Sequence, residues 1–165
     1  MTIMKMDAGM DTGDIIDTIG FPLKFERTVA NLIEAIQKVG PKFLTTTLWN
    51  FAKGLLTPAK QEESEATSTK KIEKADGFFV LSQDSLEDIY AKYRAFSLWP
   101  KVRFIRQDKK IIIEKLVLDE EPFEVHKYAP LLENGKLNLA VKEILLKPEG
   151  KKEMDWKSFV NGYLK

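Results

Sequence analysis

The chain contains no cysteine and only one histidine, His126, among its 165 residues. The absence of cysteine excludes disulfide bonds, thiolate metal sites and cysteine nucleophiles. His126 lies in a β-rich stretch far from the other notable motifs, where a surface or interstrand histidine is more common than a catalytic one. We therefore predict neither a metal site nor a catalytic role for this imidazole.

Long apolar runs and a strong charge of either sign are also missing. No uninterrupted apolar stretch approaches the roughly 18 residues of a membrane span, and the first residues turn acidic soon after Met4, unlike a signal peptide. Net charge is +1, and 44% of the residues are apolar. These features predict a folded, soluble, intracellular protein of one domain or one and a half, without a membrane partner.

Residues 1–57 read as a β-hairpin followed by two helices. Residues 2–6 and a stretch from Asp14 onwards are β-prone and flank an Asp/Gly loop. Thr28 is a suitable N-cap for a first helix, and Gly40-Pro41 predicts its end and the start of a second helix over 42–53. A two-stranded hairpin is marginal by itself. This part therefore resembles the end of a larger α/β domain.

Residues 58–74 are polar and charged, which is typical of a linker. The rest, 75–165, reads as mostly β, with two helices that begin after Ser85 and Asp155. Residues 77–81 and 101–107 and the apolar run from 111 are predicted strands, and Asn134-Gly135-Lys136 predicts a hairpin. Short, spaced strands of this kind favour a small barrel or a compact sheet.

The loop near the start carries four aspartates within eleven residues: Asp7, Asp11, Asp14 and Asp17. A calcium EF-hand loop does not fit, because Gly9 and Thr12 fall where a ligand and the invariant glycine are required. Asp11-Thr12-Gly13 is also the triplet of aspartic proteases, but those enzymes need two carboxylates and the triplet occurs once. From the residues alone, an Asp/Gly hairpin loop is the favoured interpretation.

Several motifs together resemble the methionyl-tRNA formyltransferase family. "TIMKMDAGMDTGDII" is similar to its "TIM-x-MD-x-G-x-DTGD" run, and "YRAFSLWPKVRF" to its "RAF-x-PWP" segment, although Leu98 stands where proline is usual. "QEESEATSTKKIEKADG" resembles its linker, and "LLKPEGKKEMDWKSFVNGYLK" its closing segment. The closing segment distinguishes this family from folate-dependent formyltransferases that act on sugars or purine precursors.

The resemblance implies an activity and a fold. The family transfers a formyl group from 10-formyltetrahydrofolate to the amino group of methionyl initiator tRNA, using an Asn, a His and an Asp. The Asp corresponds to Asp11, and Gly9 and Gly13 would let the loop approach the folate. Residues 1–57 would be the end of a Rossmann-like formyltransferase domain, and 75–165 an OB-like domain.

The family's Asn and His lie upstream of the region that this chain resembles. We therefore expect a C-terminal portion of such an enzyme that is inactive alone, with the missing N-terminal half as a partner in trans. The compartment implied is a bacterial cytoplasm, or a mitochondrial or plastid matrix.

Basic residues of the second half are candidates for contact with tRNA: Lys71, Lys101, Arg103, Arg106, Lys109 and Lys110. Such residues could neutralise phosphates, although a solvated charged face is the alternative. Lys147, Lys151 and Lys152 flank a second predicted turn. Two other functions stay open, a non-catalytic RNA-binding remnant and a formyltransferase for another amine such as an amino sugar.

Overall fold

The computed structural model describes residues 1–134 and 136–164 as two compact units. The first unit comprises Met1–Leu23 and Asn31–Lys70, and the second comprises Lys24–Ala30 and Lys71–Lys165. No helix in the described part of the chain is long and apolar enough to cross a membrane.

The first unit contains a hairpin and one long helix. Strands β1 (Thr2–Met4) and β2 (Ile15–Thr18) pair antiparallel, with Thr2 opposite Thr18. The amino terminus donates to the carbonyl of Ile19 at 2.8 Å and so extends this pairing. The predicted hairpin is confirmed.

The predicted break at Gly40-Pro41 is wrong, because helix α1 runs without interruption over Val29–Ala52. Proline removes one backbone donor from a helix interior, and its ring disturbs the preceding turn. Two contacts with the hairpin segment lie at Gly40 and beyond Pro41. Gly40 lies beside Met1, and Thr47 Oγ1 donates to Asp17 Oδ2 at 3.0 Å.

The second unit is built around an open antiparallel sheet. Its elements are α2 (Leu86–Phe96), β3 (Val102–Arg106), β4 (Lys109–Leu118), α3 (Glu120–His126), β5 (Leu132–Glu133), β6 (Lys136–Leu137), β7 (Val141–Pro148), β8 (Met154–Asp155) and α4 (Trp156–Tyr163). The sheet has the order β3-β4-β7-β8, and β5 and β6 form a separate pair. In the part of the chain that the structure describes, the sheet does not close into a barrel, so the mixed α/β class is observed and barrel closure is not confirmed.

Buried and more exposed residues alternate along β3 and β4, and the buried ones form part of the core. Val102, Phe104, Ile111 and Ile113 are buried on one face of the sheet, as period-2 patterning requires. The Phe104 ring lies edge-on to Phe159 of α4 at 6.0 Å. The core therefore joins the sheet to the last helix.

Both helix starts predicted in this unit are confirmed. Ser85 Oγ accepts from the Asp88 amide at 3.1 Å, and Asp155 Oδ1 accepts from the Ser158 amide at 2.8 Å. Each bond satisfies a backbone donor that the first turn leaves unpaired.

Two other local predictions have a mixed outcome. Residues 77–81 are not a strand: a 3-10 turn covers Lys74–Gly77, and only a single parallel bridge joins Phe78 to Arg103. The hairpin predicted at 134–136 is present as the β5–β6 pair, with Glu133 opposite Lys136. Gly135 itself lies outside the described residues.

Residues 24–30, which we name the arm, pack with the second unit; they precede the main part of α1 and include its first two residues. The Phe25 ring lies 5.0 Å from that of Tyr90 and 4.9 Å from that of Phe123. The Tyr90 hydroxyl donates to the Phe25 carbonyl at 3.3 Å. The arm therefore belongs to the second unit, and the expected domain bounds of 1–57, 58–74 and 75–165 stay a prediction.

Candidate functional site

The loop between β1 and β2 is organised by its first aspartate. Asp7 Oδ1 accepts from the Gly9 amide at 3.0 Å and from Thr12 Oγ1 at 2.7 Å. This is the side-chain-to-backbone bonding that favours Asp in turns. Asp17, at the far end of the hairpin, binds Thr47 instead. These two carboxylates therefore have structural roles.

Asp11 differs from both in its backbone and its surroundings. Its φ is 57°, in the left-handed region that non-glycine residues seldom adopt. The residue is exposed, and within the described ranges no hydrogen bond or ion pair reaches its carboxylate. The loop thus presents the exposed carboxylate of Asp11 to solvent.

The two glycines of the loop, Gly9 and Gly13, lie close to other atoms of the same chain. A Cβ on Gly13 would lie 1.8 Å from the carbonyl oxygen of Lys5. A Cβ on Gly9 would lie 2.1 Å from Thr12 Oγ1. At Gly13 the obstacle is backbone, so this position requires glycine for close approach, whereas at Gly9 the obstacle is the Thr12 side chain. Gly9 is exposed and Gly13 is buried, so of the predicted site residues Gly9 and Asp11 face outward.

Gln61 is the residue of this site that reasoning from the sequence does not find. Its Nε2 donates to the carbonyl oxygens of Asp11 and Gly13, at 2.8 and 2.7 Å. Fifty positions separate Gln61 from Asp11, and no periodic pattern links them. A glutamine at the start of a polar linker carries no local signal of such a contact.

The structure separates the six predicted tRNA contacts into two groups. Lys101 forms an ion pair with Glu114 at 3.3 Å. The Arg103 guanidinium lies over the Phe78 ring at 5.4 Å and donates to the Pro100 carbonyl. Arg106 Nε donates to the Tyr163 carbonyl at 3.2 Å. These three side chains have partners within the second unit, although Arg106 is itself exposed.

The remaining three, Lys71, Lys109 and Lys110, are exposed, although Lys109 Nζ lies 5.6 Å from the centre of the Tyr163 ring. The turn that leads into Lys109 and Lys110 lies beside the turn that follows β7, because Ile111 pairs with Pro148 and the Glu149 amide donates to the Lys110 carbonyl at 2.9 Å. This arrangement brings Lys151 and Lys152 to the same end of the sheet. We name Lys109, Lys110, Lys151 and Lys152 the basic end.

His126 ends helix α3 in the second unit and is half-buried. Its carbonyl accepts from Asn138 Nδ2 at 3.3 Å. Asp11 belongs to the first unit, so His126 and Asp11 lie in different units.

Among residues 1–134 and 136–164, no cluster of three or more acidic or histidine side chains could hold a metal ion.

Comparison with known proteins defines the class. The family described as "Formyl transferase, C-terminal domain" matches residues 71–164, more than half of the chain. The chain therefore belongs to the formyl transferase family.

Similar proteins extend the match across both units and are named methionyl-tRNA formyltransferases. The protein from Campylobacter jejuni strain 81-176 is 35% identical over 96% of this chain and 52% of its own length. Those from Chlamydia abortus and Caldicellulosiruptor saccharolyticus are 32% and 31% identical, over 98% and 99% of this chain and 54% of their own length. The resemblance found in the sequence is confirmed, and the chain spans about half the length of these relatives.

Solved structures support the fold alone. A crystal structure of HypX from Aquifex aeolicus matches 98% of this chain and 30% of its own chain, with a TM-score of 0.62 and 16% identity. Another HypX structure, described as a complex with tetrahydrofolic acid, matches 99% of this chain with a TM-score of 0.62.

Proposed function

We propose that this chain is the C-terminal part of a methionyl-tRNA formyltransferase. Such an enzyme transfers a formyl group from 10-formyltetrahydrofolate to the amino group of methionyl initiator tRNA. The observation that carries the proposal is that relatives with this name match nearly the whole chain, acidic loop and second unit together.

Asp11 is the catalytic residue that the chain contributes. Attack of the amine on the formyl carbon produces an oxyanion, and a proton must leave the nitrogen. A carboxylate can hold an imidazole in its working tautomer or orient a water that relays the proton. The exposed carboxylate of Asp11 suits either role.

The folate would meet the outer side of this loop. Of the three residues that the resemblance assigns to it, Gly9 and Asp11 are exposed and Gly13 is buried beneath Lys5. Gly9 and Asp11 are therefore the residues that could touch the donor. Gly13 would act only by allowing the loop to fold.

The missing N-terminal half would supply the Asn and His and would cover the apolar side of α1. Among the described residues of this helix, only Thr47 is buried. Leu44, Leu48 and Trp49 are 46, 49 and 64% exposed. An apolar stripe of this kind normally packs on a neighbouring layer, and the relatives possess nearly as much chain again as matches here.

The second unit would hold the tRNA through its basic end. Exposed lysines at two adjacent turns can follow a phosphate backbone, with an affinity that falls as salt rises. The open sheet β3-β4-β7-β8 would carry this surface. Lys101, Arg103 and Arg106 would support this surface from within, because their side chains already have partners.

The acceptor of the formyl group distinguishes a methionyl-tRNA formyltransferase from a formyltransferase that acts on an amino sugar. The test uses a chimera in which the N-terminal half of the Campylobacter jejuni relative is fused to Met1 of this chain. We expect formyl transfer to methionyl initiator tRNA and none to an amino sugar. Transfer to the amino sugar alone would favour the other formyltransferase. Binding of tRNA without transfer to either would favour the RNA-binding remnant.

A further inference from the structure

One side chain joins the Asp11 loop to the segment that follows α1. The Nε2 atom of Gln61 lies 2.8 Å from the Asp11 carbonyl oxygen and 2.7 Å from that of Gly13. A primary amide nitrogen carries two hydrogens, one for each acceptor. Since both partners are carbonyl oxygens, only the nitrogen of the carboxamide can face them. The orientation of the side chain is therefore fixed by its chemistry.

The backbone just before Gln61 is also fixed. Ile15 and Ala59 exchange two backbone hydrogen bonds, each of 2.8 Å, and form an antiparallel bridge. This bridge places residue 59 beside the first residue of β2, at the point where the acidic loop ends. Gln61 thus reaches the loop from an anchored position, although its own side chain is exposed.

The backbone at Asp11 is the part of the loop that Gln61 supports. Aspartate is one of the few residues with a Cβ that adopt the left-handed region, where local hydrogen bonds help to hold it, and Asp11 has a φ of 57°. The bonds that Asp7 makes within the loop reach Gly9 and Thr12, not the Asp11 backbone. Gln61 binds the carbonyl of Asp11 itself and also the carbonyl of Gly13.

From this geometry we infer that Gln61 is a positioning residue for Asp11. It holds the peptide units that follow Asp11 and Gly13, and so fixes the direction in which the Asp11 carboxylate leaves the backbone. Gln61 transfers no proton in this scheme and touches no substrate. The catalytic meaning of the inference rests on the proposed function, whereas the holding of the loop does not.

The first test uses the whole 165-residue chain. Gln61→Glu keeps the size of the side chain but removes both donors at neutral pH, and Gln61→Met removes them without adding charge. Gln83→Glu is the matched control, because Gln83 is another exposed glutamine and lies in the second unit. The exposure of position 61 lets both variants fold.

NMR reports the loop conformation directly. A positive φ gives a strong amide-to-Hα NOE within the residue, and we expect this signal at Asp11 in the unaltered chain. Both Gln61 variants should lose it, and the Ile15 amide should exchange about tenfold faster, because two neutral hydrogen bonds are gone. A retained NOE in both variants would overturn the inference.

The second test measures turnover in the chimera described above. We expect Gln61→Glu to lower kcat roughly tenfold to a hundredfold, as misplacement of a catalytic group does. The KM for methionyl-tRNA should stay unchanged, and Gln83→Glu should match the unaltered chimera. Equal kcat in Gln61→Glu would overturn the positioning role. A chimera without any turnover would count against the proposed function alone, and the NMR result would then decide whether Gln61 holds the loop.

Discussion

Arg94 Nε donates a hydrogen bond to the carbonyl oxygen of Arg27 at 2.7 Å, across 67 positions of sequence. A second nitrogen of the same guanidinium donates to the Lys24 carbonyl at 3.2 Å. One side chain of α2 therefore binds the backbone of the arm at two points. Together with the Phe25 ring, these bonds make the arm an integral part of the second unit.

Removing the ring of Phe25, which anchors the arm, should destabilise the second unit. We expect Phe25→Ala to lower the free energy of unfolding by about 1–3 kcal/mol, below the value for a fully buried phenylalanine, because Phe25 is half-buried. Urea unfolding followed by fluorescence measures the change. Leu23→Ala is the control, because Leu23 is 62% exposed. Equal stability of the two variants would show that the arm is not part of the core.

Adding a methyl group to a glycine of the first unit should be costly in the loop, at Gly13, and harmless after β2, at Gly20. A Cβ at Gly13 would collide with the Lys5 carbonyl, whereas Gly20 has open space around it. Gly13→Ala should therefore cost about 1–3 kcal/mol, in the range of an overpacked site, and Gly20→Ala should be neutral or nearly so. Thermal unfolding compares them. A Gly13→Ala chain that melts with the unaltered protein would contradict the described loop.

Tyr90 should make stability depend on alkaline pH. Burial raises the pKa of its hydroxyl, with the nearby Arg94 opposing the shift. The folded state therefore keeps a proton that the unfolded chain releases above about pH 10. The stability associated with this proton is complete below the unfolded pKa and is lost as pH rises through the folded pKa.

Tyr90→Phe isolates that effect. At about pH 8 the variant should be less stable by about 0.5–1.5 kcal/mol, since the bond to the Phe25 carbonyl is gone. At about pH 11 the gap should narrow or reverse, because only the tyrosine chain must retain the proton. Unfolding free energies of both chains at the two pH values test this. If the difference in unfolding free energy between the two chains grows with pH, the predicted direction of the pH dependence is wrong.

The basic end should determine how tRNA binding depends on salt. We expect replacement of its four lysines by glutamine to weaken binding of initiator tRNA and to flatten the plot of log affinity against log salt, by roughly 0.7–0.9 for each phosphate that is no longer neutralised. The same change at Lys115, Lys136, Lys142 and Lys157 is the control. An unchanged slope in the basic-end variant would mean that these lysines form only a solvated surface.

Arg103 should respond differently from the basic end. Its guanidinium is held by Phe78 and the Pro100 carbonyl. Arg103→Gln should therefore lower the free energy of unfolding of the second unit and leave the salt slope of tRNA binding unchanged. Chemical denaturation together with binding titrations separates the two effects. A changed slope at unaltered stability would return Arg103 to the tRNA-binding surface.

Prediction from sequence succeeded best where the cause of a structure is local. Ser85 and Asp155 each precede an amphipathic stretch by one residue and cap it as expected. The alternation of Val102, Arg103 and Phe104 likewise indicated the strand and its buried face. In these places periodicity and capping chemistry point to the same answer as the tertiary fold.

Prediction failed where distant contacts outweigh a local signal. Gly40-Pro41 is a sound helix-ending pair, yet α1 continues through it, with Met1 beside Gly40 and Thr47 bound to Asp17 of the hairpin. The attachment of Phe25 to Tyr90 and of Gln61 to Asp11 joins residues 50 or more positions apart. No single-sequence pattern encodes such pairs, so the support of the candidate site was visible only in the structure.

Turnover of formyl groups by three polypeptides tests the central claim most directly. These are the isolated chain, its chimera with the N-terminal half of the Campylobacter jejuni relative, and that chimera carrying Asp11→Asn, each given 10-formyltetrahydrofolate and methionyl initiator tRNA. We predict product from the chimera only, since catalytic groups that act as a unit fail together when one is removed. Product from the isolated chain, or equal turnover with Asp11→Asn, would contradict the account.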